Sequence, residues 1–144
     1  MEAREAGASG VLGIVTQVSG QGTPTLSAFA ATLGIDAPVE VVNTMELDYL
    51  VDVGVPILAM ACSVGLSVTL PGYSRDASRG LLQHLPPSCA SLVGVADIEA
   101  AREAAQQGAS ALLLKAPMLE DVCDDAVACR ELVNELKYQV SGDD

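Results

Sequence analysis

APVEVVNTMELDYLVDVGVPILAMACSVGLSVTL, residues Ala37–Leu70, reads as strand, helix, strand. Pro38–Val42 is an apolar run carrying one carboxylate, Glu40, at its centre. Thr44 then precedes Met45, with Glu46 and Asp48 in the first helical turn, where carboxylates favour the positive end of the helix dipole. Gly54 follows the helix, and glycine is favoured just past a helix end because it takes positive φ without a Cβ clash. A second apolar run, Pro56–Ala61, completes the unit. Neither run alternates, which predicts strands buried on both faces, as in a parallel sheet.

The same pattern recurs outward from this stretch. AREAGASGVLGIV (Ala3–Val15), FAATLGIDAPVEVV (Phe29–Val42) and AREAAQQGASALLLK (Ala101–Lys115) each place a helix end, a glycine and an apolar run in that order. Gly7, Gly34 and Gly54 are spaced by 27 and 20 residues, and Gly54 and Gly108 by 54, room for two further units. An interval of that size is the length of one βα unit, so the chain is a βα array. The expected strands are Gly10–Val15, Pro38–Val42, Pro56–Ala61, Ala90–Val95 and Ser110–Leu114. The expected helices are Thr25–Leu33, Met45–Val53, Arg75–His84, Ile98–Gln107 and Asp121–Gln139. Asp97 is placed to cap the fourth helix, and Pro86–Pro87 blocks extension beyond His84. The last helix sets Val122, Ala126, Cys129, Val133, Leu136 and Val140 on one stripe at steps of three and four, which reads as a core-facing stripe.

Composition bounds the rest. The 144 residues suffice for one domain, 1–144, with a sizeable core. Apolar residues make up 50% and aromatics 3%, so the core is aliphatic. No run of 18 apolar residues exists, so no membrane insertion is expected. The N-terminal MEAREAGASG lacks the basic and apolar regions of a secretory signal. Seven basic residues face nineteen acidic ones, for a formal charge of −12, which disfavours direct nucleic-acid binding. Cys62, Cys89, Cys123 and Cys129 form no CxxC pair, and Cys123 and Cys129 would sit about 120° apart on a helix. Buried free thiols in a reducing, intracellular compartment (cytoplasm or an organelle such as a plastid) fit this better than a disulfide or a metal site. His84, the lone histidine, is expected at a helix C-terminus, where the dipole favours a cation. Gly20–Gly22, in SGQGTP, lacks the spacing of a phosphate-binding glycine loop. No cofactor or metal is implied.

In order and framework glycines, most of the chain resembles indole-3-glycerol phosphate synthase, a (βα)8-barrel lyase of tryptophan biosynthesis. EAREAGASGVLGIV is similar to that family's helix 3 and strand 4, and LGIDAPVEVVNTMELDYLVDVGVPILAM to its strand 5, helix 5 and strand 6. LLQHLPPSCASLVGVADIEAAREAAQQGASALLLKAPML is similar to strands 7 and 8. The resemblance implies a partial TIM-barrel-like array of five parallel strands with helices outside. It identifies Glu40 with the family's strand-5 glutamate, here a vestigial catalytic residue. Elsewhere the family's reactive side chains are replaced. The histidine position is Val42, the INNR positions are Met60, Ala61, Cys62 and Ser63, and the SESGI positions are Ser91, Leu92, Val93, Gly94 and Val95. The phosphate-binding glycine position of strand 8 is Lys115, and the catalytic lysines belong to strands with no counterpart here.

Ring closure with loss of CO2 and water needs a positioned acid, a base and charge-stabilising groups, and losing one acid or base alone removes about 10²–10⁴-fold. The expectation is therefore a non-catalytic interaction subunit, a pseudoenzyme within a larger complex. Glu40 is expected either at a hydrated barrel mouth or paired with Lys115. Five barrel strands form an open arc, so a protein partner is expected to cover the strand edges 10–15 and 110–114. The alternatives are a lyase completed by another chain and a receiver-like domain with a flavodoxin-like five-stranded sheet, although the acidic cluster and phosphoacceptor aspartate of receivers are absent.

Overall fold

The computed structural model describes residues 2–12, 14–15, 22–60, 62 and 80–141. Its elements run α1 (Glu2–Glu5), β1 (Ile14–Val15), α2 (Gly22–Thr32), β2 (Val39–Glu40), α3 (Thr44–Asp52), β3 (Ile57–Met60), β4 (Ala90–Val95), α4 (Ile98–Gln106), β5 (Ala111–Leu114), α5 (Ala116–Leu119) and α6 (Ala126–Ser141). Residues 80–82 are helical, and residues 75–79 of the helix expected there lie outside the described residues, as does Gly20.

All strands are parallel and lie side by side in chain order, β1-β2-β3-β4-β5. Val39 pairs with both Ile14 and Leu58, Leu58 also pairs with Ser91, and Val93 pairs with Leu112. This order corrects the receiver-like alternative, because a flavodoxin-like sheet runs 2-1-3-4-5 and reverses direction at a switch point. Here each crossover advances by one strand in the same direction, and right-handed crossovers then put the connecting helices on one face. Among the described residues β1 pairs only with β2, and β5 only with β4.

The glycine repeat has a structural cause. Gly7, Gly34, Gly54 and Gly108 all have positive φ, between 68° and 92°. At each, the residue after the glycine donates its N–H to a carbonyl five residues back: Ala8 to Ala3, Ile35 to Ala30, Val55 to Leu50 and Ala109 to Ala104. This is the Schellman closure, which satisfies helix-end carbonyls and turns the chain into the next strand. Gly10 serves a different need: a Cβ there would lie 3.1 Å from the Asp36 carbonyl oxygen, where the two segments bridge.

N-caps set the other helix ends. Asn43, rather than the residue after it, caps α3, accepting from Glu46 N at 2.9 Å, while Glu46 Oε2 accepts from Val42 N at 3.1 Å. The two bonds form a close relative of the capping box. Asp97 caps α4 as expected, accepting from Ala100 N at 2.7 Å. His84 Nδ1 lies 2.9 Å from the Gly80 carbonyl, which places the ring at the helix end as expected.

The main core lies between the sheet and the helices. Val39, Val41, Leu58, Met60, Val93 and Val95 meet Leu47 and Leu50 of α3, Ala101 and Ala104 of α4, and Leu136 of α6. The opposite face carries Glu40, Ala59, Leu92, Gly94, Ala111 and Leu113, as the strand register requires. Burial on both faces holds for β2 and nearly so for β3, but β4 alternates, with Ser91, Val93 and Val95 buried and the residues between them half-buried. β5 has no buried residue. The cause is position: strands near the β5 edge are covered on the helix side only.

The last helix also departs from expectation. It starts at Ala126, after α5 and a turn, and Val133 is 39% exposed. Leu136 and Val140 turn toward the core as expected, joined by Leu132 in place of Val133. A reciprocal pair holds β4 to the start of β5: Ser91 N donates to Ser110 Oγ, and Ser110 N to Ser91 Oγ, each at 3.0 Å.

Candidate functional site

Side chains capable of chemistry gather where the strands end. Glu40 is the last residue of β2, Cys62 lies two residues beyond β3, and Lys115 follows β5 directly. These are the carboxyl ends of parallel strands, the end at which α/β sheets and barrels carry their sites.

Glu40 is 4% exposed, which corrects the expectation of a hydrated mouth. Its register partner Ala59 is equally buried, the next residue in the row, Leu92, is half-buried, and the last, Ala111, is exposed. The face that carries Glu40 is thus covered at β2–β3 and uncovered at β5.

Cys62 is buried, and its thiol points to the Met60 carbonyl at 3.5 Å and the Leu92 carbonyl at 3.7 Å. Burial first and the Glu40 charge second push this thiol up from 9.0 to about 11, against smaller opposing effects of the Met60 carbonyl and the Lys115 charge. Glu40 and Lys115 therefore converge electrostatically on Cys62. At such a value the sulfur is a protonated thiol at neutral pH, not a nucleophile. Burial raises Cys89 as well. Cys89 is buried, but Cys129 is half-buried and Cys123 exposed, which corrects the expectation that all four thiols are buried; all four are free.

Nothing local to Cys62 signals this setting, because a residue two places beyond a strand gains its neighbours only through the register of the sheet. Val42, Met60, Leu92 and Val93, the described positions expected to match reactive groups, carry no side chain that transfers a proton. Among the described residues no three His, Cys, Asp or Glu side chains lie close enough to hold a metal ion. None of the described helices is long and apolar enough to cross a membrane.

A second feature lies at the same end of the sheet. An open groove of about 470 Å³ is lined by Ala96, Asp97, Ile98 and Glu99 after β4, Pro117 and Met118 after β5, and Leu132 of α6.

No protein-family model and no curated protein matches the chain. Among solved structures, it is similar to a cube-shaped, highly porous protein cage designed by fusing symmetric oligomeric domains, with a TM-score of 0.60 and 16% identity. The likeness covers 94% of this chain and 48% of that one, so the chain spans about half the length of the protein it matches. Agreement at that identity defines the class as an α/β fold with a parallel sheet and surrounding helices, and extends no further.

Proposed function

We propose that this chain is a non-catalytic interaction subunit derived from an indole-3-glycerol phosphate synthase-like ancestor, its five strands an arc of a (βα)8 barrel. The observation that carries this reading is the burial gradient across the inner face, from buried Glu40 and Ala59 to exposed Ala111. A closed barrel buries such a row all round, and an edge strand reading Ala-Leu-Leu-Leu is prone to pair with another chain. A segment of another polypeptide is the natural cover for β5, and the edge at residues 10–15 presents the same need. Glu40 remains from the ancestral chemistry as a buried carboxylate beside a protonated thiol. The reading places the chain within an assembly rather than in a biosynthetic pathway.

The test has two arms. Purified chain, alone and in the complex isolated with it, is assayed for formation of indole-3-glycerol phosphate from its phosphorylated anthranilate precursor. No turnover is expected, and turnover in either form overturns the pseudoenzyme reading. Hydrogen exchange is then followed at β5. Lys115 N donates to Val95, so in a parallel ladder the Leu112 and Leu114 amides point away from β4. They should exchange fast in the isolated chain and slow on partner binding; protection already present in an isolated monomer overturns the open-edge argument.

A further inference from the structure

The groove between α4, α5 and α6 combines an apolar floor with an acidic rim. Its floor is half-buried Ile98, Met118 and Leu132, with exposed Pro117 at one side. Its rim holds the exposed carboxylates Asp97 and Glu99. The charge around it has the same sign: residues 97–131 contain eight acidic residues against three basic ones. One of those bases, Arg102, is held by Gln139 of α6 at 3.2 Å.

We propose that this groove docks an amphipathic helical segment of a partner protein, with apolar side chains at helical spacing flanked by Lys or Arg. Charge complementarity selects the occupant. An anion meets two carboxylates, and one of the first amides of α4, Ala100 N, is already bonded to Asp97. A divalent cation has no third ligand among the described residues. A second copy of the chain brings another −12. A basic amphipathic helix satisfies both parts of the surface, with anchors spaced i, i+3/i+4, i+7 entering the apolar floor and its cations meeting the rim. The site lies on the helix side of the sheet, so it is separate from the β5 edge and stands or falls independently of it.

The probe is a labelled synthetic peptide of roughly fourteen residues, alanine-based, with Leu at helical anchor positions and Lys at the flanks. A control peptide carries Glu in place of each Lys. Binding is followed by fluorescence anisotropy at about 50 mM salt, where surface charges are weakly screened. Asp97→Asn with Glu99→Gln removes the rim charge yet leaves an N-cap of equal quality, so the fold is retained. The double variant should weaken the Lys peptide about tenfold and flatten its salt dependence. Met118→Lys puts a cation in the floor, where its long side chain can reach water, and should abolish binding. Circular dichroism melts confirm that both variants fold. Failure of the Lys peptide to bind, equal binding of the Glu peptide, or full affinity in both variants overturns the proposal.

Discussion

Replacing Glu40 by Gln should lower the titration midpoint of Cys62 without returning it to that of an ordinary thiol. The Cys62 thiol is raised from 9.0 to about 11, first by burial and then by the Glu40 charge. A two-unit rise leaves about 100-fold less thiolate at any pH below 9. Removing the charge of Glu40 takes away the second cause and leaves the first, so the midpoint falls but stays above 9.0. Lys115→Met should move it the opposite way, because that charge favours thiolate. The assay is alkylation by iodoacetamide from about pH 7 to about pH 10.5, read peptide by peptide by mass spectrometry, since only the thiolate reacts. Restricted access slows the reaction by one factor at every pH, whereas ionisation shifts the midpoint, so the profile separates them. Exposed Cys123 is the internal reference. The linkage sign follows: the folded-state value lies above the unfolded one, so the stability this thiol contributes is complete below pH 9 and is lost as pH rises through about 11. A wild-type midpoint near 9, or one unmoved by Glu40→Gln, would refute the convergence of these side chains.

Three further outcomes test the fold. Leu50→Ala empties a site that is fully buried in the main core and should destabilise the protein by about 2–5 kcal/mol in urea unfolding; a loss below about 1 kcal/mol would show that α3 does not pack as described. Asn43→Ala should cost about 1 kcal/mol while Asn43→Asp costs little, because aspartate restores the acceptor for Glu46 N. Ser91→Ala and Ser110→Ala each remove an acceptor from a strand-joining amide and should cost about 1–2 kcal/mol apiece. Their double-mutant cycle should show coupling of at least about 0.5 kcal/mol, and strict additivity would mean the pair is not formed.

Local rules carried the repeat a long way. A glycine ahead of each apolar run marks a Schellman turn because only the backbone at that residue decides the matter, and Gly7, Gly34, Gly54 and Gly108 all obey. Asp97 as a cap and His84 at a helix end are equally local. Burial is not local. ASLVGV of β4 reads as a continuous apolar strand, yet Leu92 and Gly94 are only half-buried, because what covers them depends on which strands complete the sheet. The same reason hid Glu40: a carboxylate at a strand end is wet or dry according to its neighbours two strands away. The stripe on α6 held at Leu136 and Val140 but missed at Val133, since choosing Leu132 over Val133 takes the seat of the helix against α4, which no spacing within α6 specifies.

Asp97 argues against recruiting this end of the sheet for phosphate. Helix N-termini bind anions through amides that have no partner within the helix. In α4 one of those amides, Ala100 N, already meets a carboxylate at 2.7 Å, from a side chain one residue before the helix. Glu99 adds a second negative charge in the first turn, and both residues line the groove. A phosphate arriving there would have to displace a bonded carboxylate and lie beside another, with the repulsion weakly screened at a few ångströms. The same two residues that stabilise α4 therefore give the groove its sign. A cap that contributes about 1 kcal/mol to folding also excludes an anionic ligand and favours a cationic one. In this way the residues that cap and stabilise a helix of a βα framework also set the charge of the groove beside it.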